Sequence, residues 1–221
     1  MLSTRLNSES VDYRASREEL RSAELDLVER REHVATLRRG LPNGPVVDDY
    51  AFTDVITEPG ADVRLSELFT EPGRALVIYH LMYGKQQSTP CPMCTMWIDG
   101  FNGIAHHLAP SVDFAVAAAA EPDALRAHAA NRGWDQLRLL SCGENTFKYD
   151  LGSEDADGGQ GSAISVFVQD DGRIRHTYTT TPQLTDDIHE RGIDQLCAVW
   201  NILDLTPRGR GDWYSSLDYE S

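Results

Sequence analysis

The run RALVIYHLMY, residues 74–83, is unbroken in apolar and β-forming side chains, and it ends shortly before Cys91-Pro92-Met93-Cys94. A short run of this kind is predicted to be a strand buried on both faces. The cysteines open the next segment, in which Met93, Trp97, Phe101 and Leu108 keep helical spacing. The chain is therefore expected to pass from a central strand, through a loop, into a helix that begins at two thiols.

The segments on either side repeat this alternation. SVDFAVAAA reads as a second buried strand, EPDALRAHAANRGW as a helix with a glycine stop, and LRLLSC as a third strand. Strand, helix, strand, helix, strand implies right-handed crossovers and a partly parallel sheet. Upstream, DDYAFTDV and VRLSELF predict a short strand, a turn at Glu58-Pro59-Gly60 and a short helix. Downstream, GSEDADGGQG reads as a polar loop without core-forming residues. AISVFVQ and RIRHTYTTT then flank Asp170-Asp171-Gly172 as a hairpin, and DDIHERGIDQLCAVWNILDL predicts a last helix ended by Thr206-Pro207.

The N-terminal stretch is of another kind. Ser16 followed by Glu19 forms a capping-box pattern that opens a long helix closing at Leu41-Pro42-Asn43-Gly44. Leu20, Leu27, Val34 and Leu41 recur every seventh residue on an otherwise charged rod. The stripe fits a helix laid against its own domain or one that pairs with a second copy in a homodimer. The expected organisation is a helical arm over residues 1–44, an α/β domain over 45–207 and a tail over 208–221, in which Trp213 or Tyr214 docks.

Composition narrows the class of function. Lys plus Arg number 20 against 35 Asp plus Glu, for a net charge of -15, so a nucleic acid or an anionic membrane is an unfavourable partner. The start MLSTRLNSES lacks the apolar run of a signal peptide, and no stretch is long and apolar enough to span a bilayer. The expectation is a cytoplasmic protein, in which four cysteines are free, catalytic or metal-bound rather than a disulfide framework.

Pro92 suits a first helical position, which places Cys91 at the N-cap and Cys94 near the end of the first turn. Free N–H groups and the helix dipole favour an anion there, so Cys91 is expected to be the nucleophile with a lowered pKa. Cys94 is positioned to resolve a mixed disulfide. His80 ends the strand that feeds the cysteine loop and is expected either to relay a proton to Cys91 or to be a satisfied buried histidine. A copper or zinc site on Cys91, Cys94 and His80 is the rival, since thiolate and imidazole suit those metals. His106 and His107 point about 100° apart on a helix, which makes joint ligation awkward; one is expected in the core and one at the helix C-terminus. Cys142 is read as a packed small residue, with a disulfide to Cys91 or Cys94 as its alternative, and Cys197 as core beside Leu196 and Trp200.

Taken in order, SREEL, LRRGLP, DYAF, LSELF, IYHLMYG, CPMCTMWIDGFNG, RGW, NTFKYDLG, SVFVQDDGRIRHTYTT and LDLTPRGR resemble a bacterial thioredoxin-like family catalogued as domain of unknown function 899. The resemblance covers nearly the whole chain. It implies a thioredoxin-like, peroxiredoxin-like mixed sheet flanked by helices and preceded by the long helix, with the CxxC on Cys91 and Cys94. Its YH and HTY elements match at Tyr79, His80, His176, Thr177 and Tyr178. Thioredoxins carry a proline before the third core strand, where this chain has Ser162 and Ala163. Of the peroxiredoxin loop pattern Pro-x-x-x-Thr/Ser-x-x-Cys only Ser88 is matched, and Gly84 stands at the proline position. The expected activity is that of a thiol:disulfide oxidoreductase or thiol-dependent reductase, with a thiol peroxidase as alternative. Its substrate is then a disulfide, a peroxide or another small oxidant, and a cellular thiol is the reductant.

Overall fold

The computed structural model describes residues 9–42, 44–186 and 191–219. The chain divides into two compact units, Met1–Pro42 and Asn43–Ser221. The first holds α1, Val11–Arg39, with no buried residue. Its N-cap is Ser10, whose Oγ accepts the Tyr13 N–H at 3.1 Å, and Gly40 caps the other end. The helix therefore starts earlier than the Ser16–Glu19 pattern predicts. Ser10 has Tyr13 rather than a glutamate three residues on, so no reciprocal side-chain bond marks the true cap in the sequence.

In the second unit seven strands form one mixed sheet. They are β1 Ala51–Asp54, β2 Asp62–Arg64, β3 Ala75–His80, β4 Asp113–Ala118, β5 Arg138–Ser141, β6 Ala163–Asp170 and β7 Arg173–Thr180, in spatial order β2-β1-β5-β4-β3-β6-β7. β3, β4 and β5 run parallel, joined by α2, Pro92–Leu108, and α3, Pro122–Arg132. β6 returns antiparallel beside β3, and β7 pairs with it through a hairpin. Asp171 and Gly172 take φ of 47° and 73° at that turn, the two left-handed residues that a tight hairpin with matching twist requires. This is the thioredoxin-like architecture that the family resemblance implies, with the partly parallel sheet expected from the strand and helix order.

Pleating of β3 divides the core. Tyr79 points to a cluster with Trp97, Phe101, Val116, Leu139 and Trp200, on the side of α2 and α3. Leu76 and Ile78 point to a cluster with Phe52, Leu65, Phe147 and Phe167 on the opposite face, and His80 stacks there on Phe147. Trp97 meets Tyr79 and Trp200 edge to face, at ring-centroid distances of 6.1 and 5.5 Å. Each such pair adds about 0.5–1.5 kcal/mol beyond the area it buries.

Three expectations require correction. VRLSELF divides into β2 and a 3-10 turn at Leu65–Leu68. The loop after residue 152 is not merely solvated: Asp155 Oδ1 accepts the N–H groups of Asp157 and Gly159, and Ser153 is buried. The predicted last helix begins within a segment whose residues 187–190 lie outside the described residues. Beyond it Gly192 donates to Pro182 O at 2.7 Å, and a Cβ there would lie 2.0 Å from Thr181 O, so backbone meets backbone and the helix cannot pass through. Only a 3-10 turn at Asp194–Leu196 and α5, Ala198–Asp204, remain helical, and Leu196 is exposed. A further short helix, α4, spans Phe147–Asp150. Among the described residues no helix is long and apolar enough to cross a membrane.

Candidate active site

Cys91 is the N-cap of α2, in extended conformation, and Pro92 is the first helical residue. Proline fits because its missing N–H has no intrahelical partner in the first turn. The Cys91 N–H donates to Met82 O at 3.0 Å, which fastens the cysteine to the end of β3. Its carbonyl accepts both the N–H and the hydroxyl of Thr95, each at 3.0 Å. Cys91 is half-buried, whereas Cys94 is 1% exposed. Both are thiols. Burial first, then the hydrogen bond and charge of Cys91, push the Cys94 thiol well above its ordinary range, while the Tyr79 hydroxyl and the Met82 amide pull it down.

Both thiols line a cavity of about 630 Å³, together with Met82, Met93, Trp97, Ser162, Leu184 and Tyr214. Two buried hydroxyls near the thiols, Ser162 Oγ on the cavity wall and Tyr79 Oη, make no hydrogen bond of ordinary geometry among the described residues, although they lie close to one another and Tyr79 lies close to Cys94. Burial and the neighbouring Cys94 raise the Tyr79 phenol well above 10, so it remains a neutral donor.

His80 is not beside the cysteines. Its Nδ1 lies 2.6 Å from Ser153 Oγ and its Nε2 3.0 Å from Ser165 Oγ, so both ring nitrogens are taken on the far face of the sheet. Ser153 donates to Lys148 O, which makes His80 Nδ1–H the donor to Ser153 and Nε2 the acceptor from Ser165. Ser165 in turn meets Thr179 Oγ1 at 2.7 Å, and Thr179 meets His176 Nε2 at 2.6 Å. Burial, with the charges of Lys148 and His176, holds His80 well below its ordinary pKa and so neutral. The relay role expected for His80 therefore has no contact with Cys91 to support it. The same placement separates the expected metal ligands, and among the described residues no three His, Cys, Asp or Glu side chains come together as a metal site.

The remaining candidates are also placed. His106 and His107 are both exposed, about 22 Å along α2 from Cys91, with neither in the core. Cys142 lies on the opposite side of the sheet, gives its hydrogen to Ala118 O and has its pKa pushed up to about 12 by burial. Cys197 is buried at the start of α5. Ser88 is exposed.

Residues 3–219 match the family described as "Bacterial protein of unknown function (DUF899)". The chain belongs to this family. The sequence matches none of the curated proteins. Among solved structures, Enterococcus faecalis AhpC is similar with a TM-score of 0.50 at 12% identity, over 70% of this chain and 87% of that one. Mycobacterium tuberculosis peroxidoxin BcpB gives 0.47 at 20% identity, over 64% and 86%; a mutant of Xanthomonas campestris peroxiredoxin Q gives 0.45 at 16%, over 58% and 78%. At these identities the likeness describes the fold alone.

Sequence reasoning missed Tyr79, His128 and Lys148 around the cysteines, whereas Ser162 is at the position before the third core strand that the resemblance picks out. His128 approaches through α3: its Nε2 lies 3.3 Å from Thr95 Oγ1, the hydroxyl that holds the Cys91 carbonyl. Burial and Arg132 lower its pKa against the pull of Asp99. The only signal for Tyr79 was its phase: one residue before His80 on a strand, it must face the opposite side.

Proposed function

We propose that this protein is a thiol-dependent oxidoreductase in which Cys91 attacks the substrate and Cys94 resolves the product. The observation that carries the reading is the graded burial of the two sulfurs: Cys91 half-exposed at a helix N-cap on a cavity, Cys94 enclosed one turn behind it. With a disulfide substrate, the Cys91 thiolate forms a mixed disulfide and expels one substrate thiolate. Cys94 then loses its proton and displaces the second, leaving a Cys91–Cys94 disulfide and a substrate reduced by two electrons. A cellular thiol restores the dithiol. The high proton affinity of Cys94 keeps it from competing for the first attack.

A thiol peroxidase is the second reading, favoured by the unpartnered Tyr79 and Ser162 hydroxyls beside the thiols. Cys91 would take one peroxide oxygen as sulfenic acid and release the alcohol or water. Cys94 would then condense with it and expel water, with the hydroxyls donating to the sulfur-bound oxygen. Purified reduced protein is offered a small disulfide and a hydroperoxide in parallel, with Cys91→Ser and Cys94→Ser as controls. Consumption of the disulfide at the faster rate supports the leading reading, consumption of the peroxide the second. Turnover that survives Cys91→Ser contradicts both.

A further inference from the structure

Lys148 has no role in the scheme above, yet its position is unusual. The side chain is 2% exposed, and its Nζ donates to Leu81 O at 2.7 Å and lies 3.4 Å from Gly161 O. Among the described residues it has no carboxylate partner. A buried ammonium without water or counter-ion is costly, and it either gives up its proton or awaits an anion. Burial pulls its pKa down to about 8, and Cys142, Cys94 and Glu154 oppose that pull.

The ammonium sits on Leu81 O and beside Gly161 O, a residue of the cavity wall, and the ionisable groups whose charges act on it are Cys142, Cys94 and Glu154, with His80 repelled by it. Of these, Cys142 keeps its hydrogen on Ala118 O and is not used in the reaction. Cys94 is the group that must become an anion while still buried. Two consecutive residues seat all the participants: Leu81 O holds the lysine, Met82 O holds the Cys91 N–H, and the Met82 amide acts on the Cys94 sulfur.

We propose that Lys148 is a positioning residue for resolution, the buried counter-ion of the Cys94 thiolate while that thiolate attacks Cys91. The proposal rests on the reading of Cys91 and Cys94 as a redox pair. The Cys94 proton leaves to water in the cavity and, where Lys148 is uncharged, ends on its amine. In both cases an ammonium faces the thiolate as the Cys94–Cys91 bond forms and the bond from Cys91 to the substrate sulfur breaks. The substrate sulfur departs with the electron pair, and the two cysteines together have given up two electrons.

An aromatic disulfide with a coloured thiolate separates the steps, because one thiolate is released when Cys91 is captured and a second when Cys94 resolves. Over a pH series, Lys148→Met is expected to leave the first phase unchanged. It should slow the second about tenfold or more near neutrality and move its midpoint to higher pH, the size of effect an opposite charge has at close range. Tyr79 and Cys91 also face Cys94 and are the same in both proteins, so they do not produce the difference. A second phase with an unchanged midpoint overturns the proposal. Should Lys148→Met not fold, Lys148→Gln and Lys148→Arg give the reading: Arg, which keeps the cation, is expected to hold the second-phase midpoint below that of Gln, and equal midpoints in the two overturn the proposal. A wild-type protein that shows no second phase overturns the redox-pair reading itself, and the proposal with it.

Discussion

Tyr79 and His80 are neighbours on one strand, but the two sides of the sheet they enter are built to opposite rules. On the His80 side both His80 nitrogens, the hydroxyls of Ser153, Ser165 and Thr179, and His176 Nε2 have partners, and the Lys148 carbonyl fixes the direction in which the protons point. On the Tyr79 side two buried hydroxyls lack partners and two thiols border a cavity. A satisfied polar network holds a fold in one arrangement, whereas unsatisfied buried groups carry a cost that a ligand or intermediate can relieve. Chemistry is therefore assigned to the side with unmet polar atoms, and the histidine to the structure.

Substitutions on the two sides should separate activity from stability. The largest effect is expected for Cys91→Ser, which removes the nucleophile and should lower turnover on the order of a thousandfold, with thermal unfolding little changed. Steady-state rates and melting curves on the same preparation check this. His80→Leu should do the reverse. It takes one of two partners from each of the Ser153 and Ser165 hydroxyls and should cost about 2–3 kcal/mol in denaturant titrations, while the resolving rate stays near wild type.

The pH dependence of stability follows from the same histidine. Its folded pKa lies well below that of the unfolded chain, so below about pH 6.5 the unfolded chain binds a proton that the folded one refuses. Stability is complete above that pH and falls as pH drops, by up to ~1.4 kcal/mol per pH unit for this one group. His128 and His176 are shifted in the same direction and add to the slope. Urea titrations of His80→Leu between pH 7 and 5 should show a shallower slope than wild type. Equal slopes would remove His80 as a source.

The smallest effect sharpens the other side. Tyr79→Phe deletes a buried hydroxyl without a partner, so stability should change by less than about 1 kcal/mol. The same hydroxyl pulls down the Cys94 pKa, so its loss should move the midpoint of Cys94 alkylation to higher pH. Mass-resolved alkylation measures that shift.

Much of this division was legible in the chain. The continuous apolar run at residues 74–83 identifies β3, and Pro92 with its helical apolar spacing identifies the start of α2 and places Cys91 at its cap. Period-two side-chain direction sets Tyr79 and His80 on opposite faces, but the run is apolar on both and gives no phase for which face holds the thiols. Lys148 was out of reach for a different reason. Its place near the site depends on α4 reaching the end of β3 at Leu81, a contact between residues far apart in sequence. The last helix failed locally, because the need for glycine at residue 192 comes from a backbone approach by residues 181 and 182 that no periodicity records.

The central claim is that Cys91 and Cys94 exchange electrons as a pair while the other two cysteines do not. Equilibration of the whole protein in glutathione buffers of graded ratio, followed by acid quench, alkylation and mass analysis of each cysteine, tests it directly. The account predicts one reversible two-electron transition in which Cys91 and Cys94 lose their thiols together, with Cys142 and Cys197 alkylated at every ratio. The absence of a Cys91–Cys94 disulfide at every ratio, or a disulfide that includes Cys142, would contradict it.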